Sequence, residues 1–266
     1  MNRSRLIHAL VMAALILLPT LAVAQEGPMP LTWVDTFKVK PGAGPQFEAL
    51  FEKYDKPLCD KLVADGNATS WGLGYELAGP GGFHYAYWVT MPGWAAMGAV
   101  EAAYDELYEG LSEEELATMI AEGTAVMEPG TSQTQLLRHT VFKANPDADY
   151  KYLRLAAYTF KPGHGGDVMK MYKSFIVPTY DKLLESGVIS GYGMMEQAVH
   201  SDSSFTHEAW ITFDDLADLE ELEKAFMEAD AEVSEGDDVA RELAFLKMVK
   251  PDGHYDRLIR VLMQNE

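Results

Sequence analysis

The sequence predicts an α+β fold built from two tandem copies of one β-α-β-β-α-β unit. Three observations carry this: the chain resembles itself at a fixed offset, each half shows the same order of hydrophobic periodicities, and the turn glycines recur at matching places. An offset of 121 residues lays Lys40-Pro41-Gly42 on Lys161-Pro162-Gly163 and Pro57 on Pro178. It also lays Asp60-Lys61-Leu62 on Asp181-Lys182-Leu183, Gly66 on Gly187 and Gly72 on Gly193. One inserted residue moves the offset to 122, and Phe83/Phe205, Trp88/Trp210, Thr90/Thr212 and Glu101/Glu223 then coincide. Turn and core positions repeat together, which points to duplication.

Each copy opens with a short strand rich in β-branched and aromatic residues, Trp33–Val39 and Tyr152–Phe160, followed by a Pro-Gly-x-Gly turn. A long helix comes next. Its buried face is Phe47, Leu50, Phe51, Tyr54, Leu58 and Leu62, matched by Val168, Met171, Tyr172, Phe175, Thr179 and Leu183. Pro57 and Pro178 should kink these helices, because proline removes a backbone donor and crowds the preceding turn. Gly66 and Gly187 should stop them. The strands Ala68–Leu77 and Phe83–Thr90, and in the second copy Ile189–Ala198 and Phe205–Phe213, read as hairpins. Their loops are Gly79-Pro80-Gly81-Gly82 and His200-Ser201-Asp202-Ser203. A second helix follows near Ala95–Tyr108 and Leu216–Val233. A short helical piece comes after it, with a capping box at Ser112/Glu115 and a start near Asp238 in the second copy. The strands Gln135–Phe142 and Tyr255–Leu262 close the units, and Asn145-Pro146-Asp147 links them. An antiparallel sheet with its helices on one face is the natural packing.

Arg3 and Arg5, the apolar run Ala9–Leu18 and Ala22-Val23-Ala24 read as an export signal cleaved after Ala24. Residues 1–24 are therefore set apart, 25–145 form the first repeat and 146–266 the second, and a periplasmic or secreted location is expected. The formal charge of −20 argues against nucleic acid and anionic lipid as partners. No segment beyond the signal is long and apolar enough for membrane insertion. Cys59 is the only cysteine, so no disulfide forms within the chain, and burial is its expected fate.

The element order, the turn glycines and the duplication resemble the dimeric α/β-barrel superfamily. There two ferredoxin-like units join their sheets into one barrel with the helices outside; a tandem chain is similar to members that supply both halves. The resemblance implies a small-molecule ligand held where the sheets face inward. Activities in that superfamily run from cofactor-independent monooxygenases, cyclases and isomerases to haem proteins and proteins without known activity, so fold does not choose among them.

Strand alternation assigns Phe83, Tyr85, Tyr87 and Val89 to a helix-covered core. It sends His84, Ala86, Trp88 and Thr90 inward, with Thr206, Glu208, Trp210 and Thr212 as their counterparts. Trp88 and Trp210 are then aromatic walls. His84 and Glu208 break the repeat symmetry and are the candidate catalytic pair, an imidazole base and a tunable carboxylate. Asp35, Arg154 and Tyr158 on the first strands, and Trp71 and Tyr192 on the second, are expected to join the same cavity, with Arg154 as an anion anchor. His139 and His254 lie on closing strands whose register the pattern does not fix. No His-x-x-x-His or Glu-x-x-His pair is present to place two metal ligands on one helical face, and the second helices lack the histidine that haem-degrading relatives use as a ligand. The expected function is an exported small-molecule-binding protein without a cofactor, acting as an oxygenase, cyclase or isomerase on a small aromatic or enolisable substrate. A haem or metal protein and a non-catalytic assembly module are the alternatives, and a homo-oligomer is compatible with all three.

Overall fold

The computed structural model describes residues 29–145, 149–200, 205–231 and 235–265. The proposed signal, most of the linker and the tip of the second hairpin loop lie outside the described residues.

The first unit consists of β1 (Leu31–Phe37), α1 (Gly44–Ala64), β2 (Ser70–Ala78), β3 (Tyr85–Met91), α2 (Trp94–Glu109), α3 (Glu113–Val126) and β4 (Gln133–Ala144). The second consists of β5 (Tyr152–Phe160), α4 (Gly165–Met171), a π-helical turn (Tyr172–Ile176), α5 (Val177–Ser186), β6 (Gly191–Gln197), β7 (His207–Phe213), α6 (Asp218–Ala231), α7 (Glu235–Met248) and β8 (Val249–Gln264). All eight strands form one closed barrel in the order β1-β3-β2-β8-β5-β7-β6-β4. Each unit thus contributes four neighbouring strands, and two antiparallel seams, β2 with β8 and β4 with β6, weld the units. Closure leaves no sheet edge exposed to other chains.

The expected turns are present. Gly42 and Gly163 take up φ of 80° and 87° in the turns before the long helices, a region that side chains bearing a Cβ avoid. The piece expected to be short after each second helix is a full helix of 14 residues in both units. In α3 the Ser112/Glu115 capping box supplies the predicted start.

The two prolines behave differently. Helix α1 runs unbroken through Pro57, whereas the matching helix of the second unit opens into the π-helical turn just before Pro178. The turn widens where proline offers no N–H to the preceding carbonyl. The predicted kink is therefore realised in the second unit as a π-turn, and not as a bend in both.

Trp88 and Trp210 point into the barrel, each flat against a glycine of the neighbouring strand. A Cβ on Gly72 would lie 2.1 Å from the Trp88 ring, and one on Gly193 would lie 2.6 Å from Trp210 Nε1. The Gly72/Gly193 and Trp88/Trp210 identities in the sequence are one device, used twice. Gly193→Ala would also strike the Val141 carbonyl at 2.7 Å, so the backbone itself would have to shift. We expect Gly72→Ala and Gly193→Ala each to cost about 1–3 kcal/mol in urea unfolding, with Gly193 the more severe.

Candidate functional site

Inside the barrel, β3 presents Ala86, Trp88 and Thr90, and β7 presents Glu208, Trp210 and Thr212. The chamber they line, with Thr32, Val34, His139, Phe142, Leu153, Leu155 and Ile259 among others, measures about 100 Å³. That is room for a few small-molecule atoms, so the barrel is largely filled by its own side chains. Glu208 is 6% exposed, and burial pushes its carboxyl up to about 7 against the opposing pull of Arg257. Arg257 is paired with Glu76 at 2.6 Å and stacks over Phe83. His139, read from sequence only as a residue of unknown direction, faces inward. Its Nε2 lies 2.7 Å from Thr32 Oγ1, and burial drives its imidazole down to about 4.

The alternation rule fails at His84. Strand β3 begins one residue later, and Phe83, expected under the helices, packs with Ala86 and Ile259 instead. His84 Nδ1 sits 3.2 Å from Val39 N and 3.1 Å from Val39 O. Its repeat counterpart, Thr206, does the equivalent work by accepting from Phe160 N at 3.0 Å. Both side chains pin the end of a first strand. The structure thus takes His84 out of the chamber and away from Glu208, whose own counterpart is Ala86.

Five further candidates lie outside the barrel wall, a correction to the shared interior cavity expected for them. Trp71 and Tyr192 are fully buried beneath the helices, donating to Asp60 at 3.0 Å and Asp181 at 2.5 Å respectively. These are matching contacts at matching positions, which marks a structural fastening of helix to sheet. Asp35 lies on the outer face of β1, where Trp33 Nε1 donates to it at 3.0 Å. Arg154 and Tyr158 lie on the outer face of β5, Arg154 paired with Asp256 at 3.3 Å and Tyr158 stacked on His254 at 4.7 Å. They point outward because β5 and β8 alternate in register, sending Leu153, Leu155 and Arg257 inward instead.

These outward residues border two clefts between sheet and helices, one per unit. The first, about 500 Å³, has Asp35, Asp55, Glu101 and Asp105 among its walls. Burial and the charge of Asp35 raise the Asp55 carboxyl to about 6. The second, about 470 Å³, is mainly aromatic, with Tyr158, Phe160, Tyr172, Phe175, Tyr180, Phe226 and Phe245, and Arg154, Arg241 and Asp230 as its charged groups. The π-helical turn supplies three of its wall residues, Tyr172, Phe175 and Ile176. The apolar face of the second helix layer is accordingly divided among separate clusters, whereas the first unit holds one continuous core around Phe47, Phe51 and Trp71. Cys59 belongs to that core. Its thiol is pushed up to about 12 by burial and contacts Tyr87 Oη at 3.1 Å, so it is not an activated nucleophile.

Histidine and cysteine, common axial ligands of haem iron, are missing from the walls of both clefts. The histidine facing the barrel interior borders a chamber too small for a porphyrin. Among the described residues no group of three or more histidine, cysteine or acidic side chains is placed to hold a metal ion. No helix among them is long and apolar enough to cross a membrane.

No family model and no curated protein sequence matches the chain. Its fold does match solved structures. A candidate monooxygenase of Fusobacterium nucleatum superposes with a TM-score of 0.60 at 11% identity, covering 90% of this chain and 95% of the other. A candidate monooxygenase of Lactobacillus acidophilus gives 0.59 at 10% identity, covering 89% and 96%. A candidate chlorite dismutase gives 0.51 at 11% identity, covering 88% and 95%. Together with the closed eight-strand ring, these likenesses show that the chain has the dimeric α/β-barrel fold, with a single polypeptide supplying both halves.

Proposed function

We propose that this is an exported small-molecule-binding protein whose principal site is the second-unit cleft. Its ligand is an aromatic compound bearing a weakly acidic or anionic oxygen. The observation that carries this reading is the π-helical turn, an irregularity the first unit lacks, which places Tyr172, Phe175 and Ile176 on the wall of a 470 Å³ cleft. Such turns concentrate at functional sites, and a mainly apolar pocket with a few charged groups is the usual form of an organic-ligand site. Ring faces of Tyr158, Phe160 and Phe245 supply stacking, and the Arg154 guanidinium is the anion anchor. Export is supported by the signal-like start of the sequence alone.

The names of two fold neighbours support oxygenation as the reaction to test, and we propose that it proceeds without a cofactor. A fluorescent hydroxynaphthoate is a suitable probe of binding. Saturable one-to-one binding is expected, with Arg154→Ala weakening it about tenfold, equivalent to about 1.4 kcal/mol. Ala156→Phe, which fills the cleft from its floor, should abolish binding at nearly unchanged Tm. Equal affinity in Ala156→Phe would move the site elsewhere. Oxygen uptake with the bound phenol and no added cofactor separates turnover from binding alone.

A further inference from the structure

We propose that the chamber inside the barrel is a second binding site, built for a small uncharged molecule with a carbonyl oxygen beside a hydroxyl or amide donor, such as a short primary amide or a protonated short carboxylic acid. The site is distinct from the aromatic cleft although Trp210 borders both, since the sheet lies between them and Arg154 and Tyr158 face the other way.

Unmet hydrogen-bonding capacity is the first argument. Trp210 Nε1 and His139 Nδ1 are both buried without a partner. An unsatisfied buried polar group costs about 1–3 kcal/mol, so two on the wall of one cavity call for an occupant. Their rings stand 6.1 Å apart and nearly perpendicular, at 83°, close enough for one small molecule to touch both. The His139 ring is also held in place from behind, because Thr32 Oγ1 engages Nε2 at 2.7 Å and Thr90 Oγ1 at 3.0 Å.

Backbone construction is the second argument. A register shift in β4 between His139 and Val141 breaks the strict alternation of that strand. Without it, His139 and Phe142 would face opposite sides; with it, both line the chamber. Bulges that re-aim side chains are characteristic of sites. Phe142 packs against His139 at 5.3 Å and against Trp210 at 5.8 Å, and is itself 38% exposed, so it stands at the mouth.

Size and charge define the ligand class. A water needs about 10–15 Å³ of such space, so 100 Å³ admits a molecule of a few non-hydrogen atoms and excludes anything that would fill the cleft. Leu153, Leu155 and Ile259 offer a hydrocarbon contact. The indole N–H donates to a carbonyl, while the His139 nitrogen and the Glu208 carboxyl exchange hydrogen bonds with the neighbouring donor. Arg257, the cation that acts on Glu208, is already paired with Glu76, so no cation is left to balance an anionic guest.

Indole N–H resonances of nitrogen-15-labelled protein provide the test, since there are five tryptophans and the Trp210→Phe spectrum assigns the relevant one. Propionamide should shift the Trp210 resonance saturably, whereas propionate at neutral pH should leave it in place. His139→Phe should weaken the amide about tenfold, and Arg154→Ala should leave it unchanged, which keeps this result distinct from the fate of the cleft. A Trp210 resonance unmoved by propionamide up to its solubility limit would overturn the proposal. So would equal calorimetric affinity in His139→Phe, which stands in should Trp210→Phe fail to fold.

Discussion

Replacing Arg257 by alanine is expected to cost about 3–5 kcal/mol and to lower Tm by about 10 °C or more. The Glu76 side chain is 6% exposed and that of Arg257 11%, so the pair is desolvated on both sides. Removing the guanidinium leaves the Glu76 carboxylate without its counter-charge in a largely dehydrated site. The stacking of Arg257 over Phe83 and Tyr255 is lost as well. The glycine-rich loop adds to the effect, since Cβ atoms on Gly79 or Gly82 would fall within 2.1 Å of Glu76 Oε1 and 3.3 Å of Arg257 Nη2. The loop therefore lies directly against the pair. Replacing both partners, Glu76→Gln with Arg257→Met, should recover more than half of the loss, because a buried neutral amide costs far less to desolvate than an unpaired charge. Chemical unfolding of the three proteins checks this. A loss under about 1 kcal/mol in Arg257→Ala would show that the pair behaves as a surface contact.

The fold was legible because both halves state it. Repetition separates the residues that a unit needs from those that vary: Gly72 and Trp88 were visible as repeated identities before their contact was known, and so was Asp60, whose partner Trp71 has Tyr192 as its counterpart. The β-α-β-β-α-β order followed from periodicity, and the barrel followed from the resemblance. The site was less legible, for a local reason. Alternation is a sound guide only while a strand stays regular, and it failed at two places. A bend before β3 turned His84 onto Val39, and the β4 register shift turned His139 and Phe142 to the same side. Neither irregularity has a sequence signal as clear as a turn glycine. Glu208 was placed inward correctly, but as the partner of a histidine on the wrong strand; the inward imidazole is His139. Arg154 and Tyr158 were chosen together and do lie together, on the opposite face of the sheet from the one expected. The π-helical turn was foreshadowed only by Pro178, and Pro57 shows that proline alone does not produce it.

Stability against pH gives the second large effect, through two interior groups that oppose each other. Burial raises Glu208 from 4.5 to about 7, so over that interval the folded protein keeps a proton that the unfolded chain releases. Its contribution is complete below about pH 4.5 and is lost as pH rises through 7, a change of about 3 kcal/mol. Burial lowers His139 from 6.5 to about 4, so here the unfolded chain takes up the proton first. That contribution is complete above about pH 6.5 and is lost as pH falls through 4, again about 3 kcal/mol. Between about pH 4.5 and 6.5 the two slopes have opposite sign and similar size, and the wild type conceals both. Each substitution should unmask the other group. Relative to wild type, Glu208→Gln should gain stability as pH rises across this window, and His139→Gln should lose it. Asp55, raised to about 6, adds a falling slope of its own, but it is common to all three proteins and cancels in the differences. Urea unfolding across the window measures those differences. If the Glu208→Gln curve runs parallel to wild type from pH 4.5 to 7, Glu208 ionises as freely folded as unfolded, and the chamber is open to bulk water.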